Sequence, residues 1–186
     1  MNFLDFVTNK NNSIKLYDDN YLKESEIVNI YGEDYSGKTS LCFYIIGQNP
    51  DKKIAYVCSE NIDRMYTDKL RELSNNVYMV HCNEINQLKK ILEIMPIDLV
   101  IVDSLTAMAY IDNSKDIEQL FNLINDKNMN MIVVSQSRKY EGNEYFEHYK
   151  ILNYFGQRIK VEKQDEHLIL NQNKKINLNK IWNLKQ

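Results

Sequence analysis

Short apolar runs closed by polar or turn-forming residues alternate along this chain with longer stretches whose apolar positions recur every three or four residues. The short runs cover 27–31, 54–58, 77–80, 97–103 and 129–134, and their length and aliphatic content predict strands. Between them, 38–48 carries Leu41 and Ile45, the next stretch Met65, Leu70 and Leu73, a third Ile85, Leu88, Ile91, Leu92 and Met95, and a fourth Ile117, Leu120, Phe121 and Ile124. Each of these spacings lays one apolar stripe along a helix. Strands that alternate with helices predict an α/β chain, with a mostly parallel twisted sheet flanked by helices. The four consecutive aliphatics Leu99, Val100, Ile101 and Val102 read as a strand buried on both faces. Residues 105–113 read as a connection and 137–149 as the least regular central segment. At the end, strand-like groups at 158–161, 167–170 and 176–178 predict an antiparallel extension of the main sheet, with Trp182 sealing an edge. Residues 1–26 form an N-terminal packing segment or arm, with 14–22 as a short strand or lid, and 27–186 form one core.

Composition narrows the function without naming it. A chain of 186 residues with 44% hydrophobic content can bury a core without staples. Lys+Arg 23 against Asp+Glu 26 gives a net charge of -3, so no general basic excess advertises nucleic acid. Cys42, Cys58 and Cys82 stand apart in apolar surroundings, and His81, His148 and His167 have no ligand companions nearby in sequence. That pattern favours buried thiols in a reducing compartment over disulfide or zinc chemistry. With no long apolar run or cleavable leader, the expectation is a soluble internal protein away from membranes, cytoplasmic in a prokaryote or nuclear in a eukaryote.

The chemistry concentrates after the first confident strand. Gly32, Glu33, Asp34, Tyr35, Ser36, Gly37, Lys38 and Thr39, followed by Ser40, match the phosphate-binding P-loop pattern between a strand and a helix. Gly32 permits the turn, Gly37 lets backbone approach phosphate, and the amides at the helix start would receive anionic oxygens. Lys38 is the candidate for the β- and γ-phosphates, and the Thr39 hydroxyl for magnesium. Glu60 follows the second strand of the core and is the candidate to orient the attacking water. Asp103, at the mouth of its aliphatic strand, would accept from a magnesium-bound water or from Thr39. Gln136 follows another strand and would sense the γ-phosphate. Arg138, Lys139, Tyr140 and Tyr145 offer stacking and phosphate contacts to DNA, although interspersed glutamates weigh against it and partner binding or local packing stays open.

Taken together, the Gly32–Thr39 loop, Ala-Tyr-Val-Cys-Ser-Glu ending at Glu60, Leu-Val-Ile-Val-Asp-Ser through Asp103 and Val-Val-Ser-Gln ending at Gln136 resemble the successive motifs of the RecA/RadA recombinase superfamily. The resemblance runs from about residue 27 to the terminal strands. It implies a RecA-like P-loop NTPase core using ATP and Mg2+. Lys38 and Thr39 would bind phosphate and metal, Glu60 would support hydrolysis, Asp103 would organise magnesium and Gln136 would couple to an effector loop. Little room remains for the auxiliary DNA-binding domain of full recombinases, and no aromatic-x-x-alanine polymerisation signal precedes the core. The expectation is therefore a small core-only paralog, similar to archaeal RadB or a eukaryotic accessory paralog. Such a protein would pair with a recombinase or another paralog, as a hetero- or homo-oligomer, with single-stranded DNA contact either direct or dependent on that partner. Its hydrolysis would be weak or partner-dependent. The alternatives are a nucleotide-stabilised interaction protein without significant turnover and a helicase-like DNA-dependent ATPase or regulator.

Overall fold

The computed structural model describes residues 13–59, 64–108, 114–140, 143–146 and 155–179, with backbone alone at 106–107, 114, 138–140 and 143–146. Strands rich in β-branched residues build the centre: β3 (Ile27–Gly32), β4 (Ile54–Cys58) and β6 (Leu99–Asp103) bury nearly every side chain. Residues buried on both faces need helices above and below. On one face lie α1 (Lys38–Gln48) and α2 (Arg64–Leu73), packed on Val28, Ile30, Tyr56 and Ile101 through Leu41, Phe43, Ile45 and Leu70. The opposite face is covered by α3 (Ile85–Ile94), the single turn α4 (Leu105–Met108) and α5 (Ser114–Asp126), whose Leu88, Leu105, Leu120 and Phe121 meet Val57, Val100 and Val133.

The remaining strands are β5 (Val77–His81), β7 (Asn130–Tyr140), β8 (Asn143–Phe146), β9 (Gln157–Gln164), β10 (His167–Leu170) and β11 (Lys174–Asn177). The main sheet runs in the order β11-β10-β9-β3-β7-β6-β4-β5, with β8 paired to β7. From β9 to β5 every neighbour is parallel, while β8, β10 and β11 are antiparallel. The chain is thus α/β with a mixed, mostly parallel sheet flanked by helices. β7 stands between β3 and β6, so the loop after β3 and the end of β6 open onto the same carboxyl edge two strands apart.

Several expectations change. β9 belongs to the parallel set through its pairing of Val28 with Gln157 and Ile30 with Ile159, so only β10 and β11 form the antiparallel extension. Direction is set by where the chain re-enters the sheet, which the apolar spacing of 158–161 does not encode. The irregular segment expected from 137 is in part a hairpin: β7 continues to Tyr140 and pairs Ser137 with Phe146 and Lys139 with Glu144. Its aromatic residues Tyr140, Tyr145 and Phe146 suit strands, and the register comes from cross-strand pairing that apolar spacing does not encode. The 14–22 region is a hairpin of β1 (Ile14–Tyr17) and β2 (Asn20–Leu22), and its Ile14, Leu16 and Leu22 join the core beside α1. Residues 1–12 and Trp182 lie outside the described residues.

Candidate functional site

The site begins where β3 gives way to α1. Gly32 has no room for a side chain: a Cβ would come within 2.4 Å of Val161 O and 2.6 Å of Ser36 Oγ. Gly37, at φ +91°, sits in the left-handed region, and a Cβ there would strike Leu168 Cδ2 at 2.4 Å. Both glycines of the pattern are therefore required by the backbone. Tyr35, also in the left-handed region at φ 60°, turns its ring out to solvent and is 96% exposed. α1 then starts with no side-chain cap and no acidic residue in its first turn. The free N–H groups of that turn, with the helix dipole behind them, present positive character toward the loop.

Three polar side chains gather around this start. Lys38 Nζ donates to Gly32 O at 3.0 Å and Glu33 O at 2.6 Å, folding the ammonium over its own loop. Burial pushes its pKa below the ordinary lysine value, against the opposing pull of the Asp34 and Asp103 charges. Thr39 Oγ1 donates to Asp103 Oδ2 at 2.8 Å, joining α1 to the end of β6. Ser36 Oγ is buried and has no hydrogen-bond partner among the described residues, an arrangement that costs free energy unless a ligand or water supplies one. Ser40, in the first turn of α1, lines an open cleft together with Lys38 and Thr39.

Gln136 lies near the loop and closes onto it: its Nε2 donates to Asp34 Oδ1 at 2.6 Å. That bond connects the glycine loop to the strand that continues into the β7–β8 hairpin. Arg138, Lys139, Tyr140 and Tyr145 belong to this hairpin, with Arg138 paired to Tyr145 and Tyr140 to Asn143 in the register. Glu60 lies outside the described residues. The chain leaves β4 beside Asp103, where the Ser59 amide donates to Asp103 O at 3.4 Å.

Two features had no signal in the linear pattern. Tyr56, third in an apolar strand, donates its hydroxyl to Asp103 Oδ2 at 2.6 Å. Burial, and then the Asp103 charge, hold its phenol well above the ordinary tyrosine value, so it remains a donor. The second is an open concavity of about 380 Å³ beside Gly37 and Lys38, walled by Tyr66, Lys163 and Leu178. Volumes of this order suit small-molecule ligands.

These residues fit a phosphorylated ligand with a hard divalent cation. Among the described residues no three His, Cys, Asp or Glu side chains cluster to hold a metal by themselves. A Thr39 hydroxyl with one nearby carboxylate is a partial ligand set of the kind magnesium completes with phosphate oxygens and water. No protein-family model matches the sequence, and no curated protein is significantly similar to it. Among the described residues no helix is long and apolar enough to cross a membrane.

Proposed function

We propose that this protein binds ATP with Mg2+ at the Gly32–Thr39 loop, and that it serves as a RecA-like accessory protein in DNA recombination or repair with weak or partner-dependent hydrolysis. The observation that carries the nucleotide reading is the 2.8 Å bond from Thr39 to Asp103 beside a glycine-bounded helix start. A hydroxyl oriented this way can offer its oxygen to a cation while its hydrogen stays on the carboxylate. Lys38 would exchange two carbonyl partners for phosphate oxygens, and an anion would restore the charge that burial disfavours. The backbone amides of the first α1 turn would meet the remaining oxygens. When bound, Mg2+ supplies neutralisation of the phosphate charge. The wall made by Tyr66 and Leu178 gives a base an apolar surface beside the loop. Glu60 is the residue assigned to orient water for attack on the γ-phosphate.

The recombination half of the reading rests on the ordered motifs that resemble the RecA/RadA superfamily and on the Asp34–Gln136 bond. Through that bond, a change at the loop on phosphate binding would be felt by β7 and the hairpin that carries Arg138 and Lys139. The partner would be a recombinase or another paralog, and the hairpin the surface offered to it or to single-stranded DNA.

The test is ATP binding and hydrolysis by wild type and Lys38→Ala, each with Mg2+, with and without single-stranded DNA, while molecular mass is followed in solution. Losing charge-assisted bonds of about 2 kcal/mol should weaken ATP binding roughly 30-fold in Lys38→Ala. Equal binding by the two proteins would overturn the nucleotide site. Tight binding with negligible turnover, with or without DNA, would direct the reading to a nucleotide-stabilised subunit that requires a partner. Directional unwinding with DNA-stimulated turnover would replace it by a helicase-like motor.

A further inference from the structure

Asp103 Oδ2 takes two hydrogen bonds, from the Thr39 hydroxyl at 2.8 Å and from the Tyr56 hydroxyl at 2.6 Å. The two donors come from different elements: Thr39 from the first turn of α1, Tyr56 from the middle of β4. Among the described residues Asp103 Oδ1 accepts no hydrogen bond, so one carboxylate oxygen is held by two donors and the other has none. The Tyr56 ring needs no hydroxyl for packing. It is 1% exposed within an apolar cluster and meets Phe43 edge-on at 5.7 Å, a contact phenylalanine would make equally well. A buried phenol is costly there unless its hydrogen is placed. The hydroxyl therefore serves the carboxylate and not the core.

We propose that Tyr56 is a positioning residue of the cation site, fixing the Asp103 carboxylate by Oδ2 so that Oδ1 is presented to the water shell of the divalent ion that accompanies the nucleotide. This rests on reading the loop as a nucleotide site. Carboxylates that orient metal-bound water are themselves oriented by outer hydrogen bonds, and a rotated carboxylate would present the wrong lone pair. Thr39 alone gives the carboxylate a single anchor, about which it could pivot; the second donor, from β4, removes that freedom. Tyr56 is buried and its hydroxyl donates to Asp103 alone.

The test compares ATP affinity, by calorimetry, across a Mg2+ titration and in excess EDTA for wild type, Tyr56→Phe and Lys38→Ala, with Mn2+ as a spectroscopic probe of direct metal binding to the ATP complex. Tyr56→Phe should raise the Mg2+ concentration for half-maximal effect roughly ten-fold, with a parallel loss for Mn2+. Its affinity for ATP in EDTA should equal that of wild type, while Lys38→Ala is weak under both conditions. An unchanged Mg2+ response in Tyr56→Phe overturns the positioning role and leaves the nucleotide site standing. Equal weakening in EDTA and in Mg2+ overturns it too, because that marks a general packing defect. A wild type that binds no ATP, or a Lys38→Ala that matches it, overturns the site reading itself. Tyr56→Met, which keeps apolar bulk without a donor, is the second variant should phenylalanine perturb folding, and the same metal shift is required of it.

Discussion

The two ends of the parallel sheet use polar side chains in opposite ways. At the amino ends, polar groups are closed onto backbone. Asn49 donates to Lys15 O and Ile45 O, both at 2.7 Å, and accepts from Lys15 N at 2.8 Å, fastening the end of α1 to the β1–β2 hairpin. Asp98 Oδ2 accepts from Lys53 N at 2.8 Å before β6, and Asn130 Nδ2 donates to Lys23 O at 2.8 Å where β7 starts. At the carboxyl ends three bonds run between side chains, Thr39 and Tyr56 to Asp103 and Gln136 to Asp34, while Lys38 donates to two carbonyls of its own loop and Ser36 Oγ has no partner among the described residues. The backbone partners at the amino ends belong to strand and helix ends, and losing them loosens those ends. Side-chain partners can be traded for a ligand at little conformational cost, which is why the proposed binding site lies at the carboxyl end of this sheet.

Asn49→Ala tests the structural end and should have the largest effect on stability. Losing three hydrogen bonds of about 1 kcal/mol each should lower unfolding free energy by about 3 kcal/mol in urea melts. ATP affinity should stay at the wild-type value in the folded fraction. An Asn49→Ala protein of normal stability, or one with altered ATP affinity, would erase the division between the two ends.

Thr39→Val reverses the pattern. Stability should change by less than about 1 kcal/mol, since one half-exposed bond is lost. The extra ATP affinity conferred by Mg2+ should fall roughly ten-fold, because the hydroxyl oxygen is the side chain's only contribution to the cation. A Mg2+ response as strong as that of wild type would remove Thr39 from the metal site.

The smallest effect is electrostatic and lies in alkaline solution. Burial and the Asp103 charge raise the folded values of Cys42 and Tyr56 above their ordinary 9.0 and 10.0. The unfolded chain therefore releases these protons first, and stability present below those values is lost as pH rises through them. Lys38 acts with the opposite sign: its folded value is lowered from 10.5, so the unfolded chain holds that proton longer and stability rises with pH in that window. Burial raises Tyr44, Cys58 and Cys82 as well, so with five groups against one, urea midpoints should fall between about pH 8.5 and 10.5, by a net on the order of 1 kcal/mol. Flat midpoints over that range would mean that the carboxyl-end cluster is more open to water than its geometry implies.

Much of this was legible along the chain because it depends on near neighbours. The apolar runs, the helical stripes of α3 and α5, and the strand, glycine loop and helix from Ile27 to Gln48 follow from side-chain period and from what glycine alone can adopt. Asp103 could be placed at the mouth of its strand because four aliphatics precede it. What the sequence could not contain is which strands become neighbours. Thr39 meets Asp103 across 64 positions, a pairing the phosphate-loop pattern led one to expect, whereas Tyr56 meets it across 47 and Gln136 reaches Asp34 across 102 with no such signal. Those meetings, like the parallel run of β9 and the continuation of β7 into a hairpin, arise when the strands take their order in the sheet. Local periodicity fixes what each segment can bury; only packing fixes which polar atom each segment's end will find.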